Sequence, residues 1–115
     1  MISFRKFLEE LNLQEEKTLK LEKKEIKFIS DKKGSCDCSH KQLISLLGAP
    51  EQVVWNFDCS NNKLTSLKGM PKKVGGFFDC HKNKIPKKEI IKYSKRYPDI
   101  MIISDHGYFK GGIQW

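Results

Sequence analysis

Arginine is nearly missing from this chain. Of 22 cationic side chains, only Arg5 and Arg96 are arginines, and the rest are lysines. Arginine forks are the usual readers of base edges and phosphates, so a lysine-rich surface argues against specific nucleic-acid recognition. The net charge of +8 still biases the molecule toward acidic partners, and lysine-mediated nucleic-acid association stays as an alternative. Long apolar runs are missing too. No stretch of 18 apolar residues exists, which excludes a transmembrane helix and a membrane partner of that kind. The opening MISFRKFLEEL lacks a signal peptide's apolar core and small-residue cleavage site. A cytoplasmic location is therefore expected, with the four cysteines as free thiols. Enzyme motifs are absent: there is no P-loop, no HExxH and no nucleophile elbow. Asp105-His106 falls in a turn, and in Asp79-Cys80-His81 adjacent side chains diverge, so no catalytic residue and no cofactor is expected. With 38% hydrophobic and 31% charged residues, 115 residues make one domain with a small or thin core.

What is present is a period. Cys38, Cys59 and Cys80 are each 21 residues apart, and so are Asp37, Asp58 and Asp79. Leu43, Leu64 and Ile85 keep the same step, as do the pairs Leu46/Leu67, Gly48/Gly69, Pro50/Pro71, Val53/Val74 and Phe57/Phe78. A period in this range marks a repeated supersecondary unit. Phe57 and Cys59 alternate as on one face of a strand. Asn62 follows where the chain must bend, and its amide can satisfy turn backbone groups. Leu64 and Leu67 point inward, Gly69 permits a positive φ, Pro71 sets a bend, and Val74 returns to the core.

The stretch FDCSNNKLTSLKGMPKKVGG, Phe57 to Gly76, resembles the leucine-rich-type repeats of bacteriophage and bacterial proteins. The resemblance covers under half of the chain. The first unit departs from the pattern, with Lys41 in place of the asparagine and Cys36 in place of the phenylalanine. The resemblance implies an α+β chain built on a short leucine-rich-repeat-like β-solenoid of two to three coils, whose usual role is protein binding.

A solenoid needs capped ends. Phe4, Phe7, Leu8 and Leu11 fall at helical spacing, with Ser3 as N-cap, which predicts a helix from Phe4 to about Asn12. Residues 14–24 fit helix or strand. A strand near Glu25–Ser30 is expected to pair antiparallel with Ser35–Ser39 through a turn at Gly34. Residues 1–34 thus form an N-terminal helix and hairpin cap, and 35–85 the repeats. Residues 86–115 form a C-terminal cap: a helix that starts at Pro86 and ends before Pro98, a short strand IMII, a turn SDHGYF with Gly107, and KGGIQW as a tail. The N-terminal helix could instead bind a partner.

The cysteines admit a zinc reading, since C-x-C with His40 and His81 supplies enough ligands. The repeat spacing and the position, where leucine-rich repeats bury a leucine, favour core thiols instead. No metal is expected. On the opposite strand face, Asp37, Asn56, Asp58, Ser60, Phe77, Asp79 and His81 should point outward and form the protein-binding site. Three stacked aspartates repel one another. Lysines such as Lys41 or Lys82 can screen them, a basic patch on a partner can meet them, or a cation can sit among them. Phe77 would serve as an apolar anchor. The expected function is binding a host or viral protein, as a phage-encoded inhibitor of a host factor such as a bacterial defence system (an anti-CRISPR-type activity). A structural or virion-packaged role is the other alternative.

Overall fold

A computed structural model describes residues 28–115. The helix expected over residues 4–12 and the open stretch 14–24 lie outside the described residues.

The repeated units form strands only where side chains alternate. Strand β1 is Cys36–Asp37, β3 is Phe57–Asp58 and β5 is Phe77–Asp79. They pair in parallel, Cys36 with Phe57 and Phe57 with Phe78, so each rung repeats the last at 21 residues. A second pair, β2 (Gln52–Val53) with β4 (Lys73–Val74), forms a separate two-stranded sheet on the same step. The strands are short because each unit must turn twice. One turn follows the asparagine. The other needs glycine: Gly69 has φ +91°, and a Cβ there would stand 2.9 Å from the backbone of Leu46 and Leu47. At Gly75 the limit is contact alone, since a Cβ would stand 1.9 Å from the Val54 carbonyl oxygen.

Helix α1, Lys87–Arg96, begins after Pro86, whose extended φ of −63° and ψ of 147° suit a helix start. Glu89 lies in its first turn and Lys95 and Arg96 in its last, which complements the helix dipole. Its buried face carries Ile90, Tyr93 and Ser94. Strand β6 (Met101–Ser104) then pairs in parallel with β5, and β7 (Gly107–Lys110) and β8 (Ile113–Gln114) follow antiparallel.

The expected leucine-rich-repeat-like solenoid with separate caps is therefore wrong. The molecule is an α+β domain with one helix among the described residues, a mixed six-stranded sheet in the order β1-β3-β5-β6-β7-β8, and the small β2-β4 sheet. Residues 86–115 supply half of the main sheet. The physical reason is the size of the core. Two repeats cannot enclose one, so their buried side chains join those of α1, β6 and β7 in a single core. Ile90, Ile102 and Phe109 belong to the same buried cluster as Leu46, Leu64 and Leu67. SDHGYF is a turn only at Asp105-His106, since Gly107–Lys110 form strand β7, and KGGIQW is likewise no tail. Gly111 (φ +63°) and Gly112 (φ +78°) make the tight turn that returns the chain as β8.

At the other end, the described residues of the expected hairpin show one bridge between Ser30 and Cys36, closed by a bond from the Asp31 amide to the Ser35 carbonyl at 2.7 Å. Residues 25–27 of that expected strand lie outside the described residues. Phe28 is buried there and stacks on Phe57 at 6.1 Å, while Phe57 and Phe78 stack at 5.2 Å with planes 2° apart. Cys36 stands where the next aromatic ring would be, and Phe28 supplies that ring. No helix among the described residues is long and apolar enough to cross a membrane.

Candidate functional site

The pleat of the main sheet sorts its side chains into two faces. Cys36, Phe57, Phe78, Ile102 and Phe109 form one row across five strands, and all are buried. The next position along each strand points the other way. Its row runs Asp37, Asp58, Asp79, Ile103, Tyr108, and the Trp115 amide bonds the Tyr108 carbonyl at 2.7 Å to extend it. A parallel row holds Phe77, Met101, Lys110 and Ile113. The outer face is thus acidic over β1, β3 and β5 and largely apolar over β5 to β8. Four of its apolar residues are exposed: Phe77 at 43%, Tyr108 at 54%, Ile113 at 68% and Trp115 at 75%.

The aspartates are held by their own strand ends. Asp37 Oδ1 accepts the Ser39 amide at 3.0 Å and the Ser39 hydroxyl at 2.6 Å. Asp58 repeats this with Ser60, at 2.9 and 2.6 Å. In the third unit His81 takes the place of serine, and its amide and Nδ1 lie 3.1 and 2.5 Å from Asp79 Oδ1. Each carboxylate therefore spends one oxygen on the residue two positions on, a local Asx-type turn. The Ser39 hydroxyl, then its amide, hold the Asp37 carboxyl below its ordinary value, with Lys41 and His40 adding to this. Among the described residues no lysine comes within ion-pair distance of Asp37, Asp58 or Asp79. Serine and histidine, more than lysine, make the stacked charges tolerable.

One expected contact residue is corrected. Ser60 is 3% exposed, with its hydroxyl turned onto Asp58, so it offers nothing to a partner. Asn56 is partly exposed but also tied into the ladder: its backbone amide donates to Ser35 Oγ at 3.3 Å and its Oδ1 accepts the Phe77 amide at 3.0 Å. Asp37 and Phe77 are exposed, and Asp58, Asp79 and His81 are half-exposed. Sequence reasoning missed Met101, Ile103, Tyr108, Ile113 and Trp115 as members of this face. The signal was Gly111-Gly112, a two-residue hairpin mark that makes the residues around it strands.

All four cysteines are buried free thiols. Burial raises the Cys59 and Cys80 thiols well above their ordinary value, aided by neighbouring Cys80, Asp58 and Asp79 charges. The Cys36–Cys38 interaction raises Cys38, where burial adds to it, and lowers Cys36, where burial opposes it. Among the described residues no group of three or more histidine, cysteine or acidic side chains is placed to hold a metal.

Asparagine does structural work instead. Asn62 Nδ2 donates to the carbonyls of Cys38 and Cys59 at 2.9 Å and Ser60 at 3.2 Å. Asn83 does the same one unit later, to Cys59, Cys80 and His81. Asp105 then receives the Lys82 and Asn83 amides and closes the series.

Compared with known proteins, this chain matches no family model, no curated protein and no solved structure.

Proposed function

We propose that this protein is a protein-binding module whose contact surface is the outer face of the main sheet. The observation that carries the reading is the cluster of exposed Phe77, Tyr108, Ile113 and Trp115 in adjoining rows of one sheet face. Large aromatic side chains on a rigid sheet are the common anchors of interfaces. The acidic row Asp37, Asp58 and Asp79 borders them, on a chain of net charge +8. The partner that fits is a folded protein with an apolar centre and basic side chains on one side. An inhibitor of a host factor, as the repeat resemblance implies, would act through this surface.

Photo-crosslinking tests this. A crosslinker at position 108 or 77 should trap the partner, and one at Lys92 on α1 should not. Phe77→Lys should weaken the complex by roughly 30-fold, the effect of losing an anchor of about 2 kcal/mol. Crosslinks confined to α1, together with binding that survives Phe77→Lys but collapses with salt, would instead assign the partner as nucleic acid held by lysines.

A further inference from the structure

Residues of the first two repeats' turns and the last turns of α1 line an open cleft of about 370 Å³. We propose that this cleft binds a small phosphorylated ligand. Its volume falls at the lower end of small-molecule sites. Three cationic side chains line it, Lys68, Lys72 and Arg96, against one carboxylate, Glu51. Lys72 Nζ lies 3.8 Å from Glu51, but both side chains are largely exposed, so the pair is weak and an anion can compete for the lysine. Among the described residues Lys68 and Arg96 form no ion pair.

Arg96 is the one arginine among the described residues, in a chain that otherwise uses lysine. Its planar fork suits a phosphate's paired oxygens in a way lysine does not. The guanidinium carbon lies 5.8 Å from the centre of the Tyr97 ring, which gives the fork a surface to rest on. Tyr93 and Tyr97 also line the cleft, with rings 6.5 Å apart, and each brings a hydroxyl donor and an apolar ring. The carbonyl end of α1 faces this region and disfavours negative charge. Recognition must therefore come from side-chain cations, and a doubly charged phosphate gains more from three of them than a carboxylate does.

The test is titration of the full chain, followed by calorimetry, with AMP, inorganic phosphate and acetate as separate probes. AMP or inorganic phosphate should bind saturably at one site. Arg96→Gln and Lys68→Gln, both at exposed positions, should each weaken binding about 10-fold, the loss of one charge-assisted contact. Lys110→Gln, on the outer sheet face, should leave it unchanged. The proposal is overturned if neither phosphate probe saturates by about 10 mM, a concentration that admits even very weak sites. It is also overturned if acetate binds as tightly as phosphate. Equal weakening by Lys110→Gln would overturn it too, since that reports only attraction to the net charge.

Discussion

The side-chain oxygen of Asn62 accepts the backbone amide of Leu43 at 2.9 Å and that of Lys41 at 3.0 Å, both in the preceding repeat. With the carbonyls held by its nitrogen, one buried amide joins two units. Replacing it strands several buried backbone groups at once, each costing about 1–3 kcal/mol. Asn62→Ala should lower stability by roughly 3 kcal/mol or more in urea unfolding. Asn62→Asp should do little better, because a carboxylate cannot donate to Cys38 and Cys59. A midpoint within error of the wild type would show that the amide adds nothing net.

The thiols give a second expectation. Since burial keeps Cys59 and Cys80 protonated and out of contact with solvent, they should be inert in the folded protein. A thiol reagent such as DTNB at neutral pH should label none of the four cysteines rapidly until denaturant is added, then label all four. Rapid labelling of one cysteine in the native state would contradict the buried row.

Backbone strain recurs with the period. His40, Asn61 and Lys82 occupy the same place in successive repeats, and all have φ between 54° and 56°. Asparagine tolerates this region better than a long side chain does. Lys82→Asn should therefore raise stability by about 0.5–1 kcal/mol, seen as a higher thermal midpoint. The bond from the residue-82 amide to Asp105 is a backbone contact and should survive the change.

Asp37 sets an acid limit. Its carboxyl is depressed in the folded state by Ser39, so its contribution is present above the ordinary aspartate value of 3.8 and is lost as pH falls through the lower folded value. Asp37→Asn should flatten the fall in stability below about pH 4 relative to wild type, and change little at pH 7 beyond a constant offset. An unchanged acid slope would show that other carboxylates dominate.

The strand rows were legible because the spacing of Asp37, Asp58 and Asp79 is the sheet register itself. The helix was legible from Pro86 and the apolar positions Ile90, Ile91 and Tyr93. The candidate face was legible over β1, β3 and β5, through Asp37, Asp58, Phe77 and Asp79. Its apolar half depends on Phe77 meeting Met101 and Ile103 meeting Tyr108, pairings made across a helix and around a turn. No period connects those residues, so nothing local predicts that they adjoin. Ser60 illustrates the opposite failure: alternation places it outward, but a short hydroxyl turns back onto Asp58.

By itself the sequence determined the 21-residue step, the burial of the cysteines and the turn-holding role of Asn62, because each follows from near-neighbour geometry repeated along the chain. Tertiary structure decided the rest. Two repeats enclose too little apolar volume to stand alone, so β6, β7 and α1 complete the core and the sheet becomes mixed. That same closure leaves Tyr108, Ile113 and Trp115 uncovered beside Phe77.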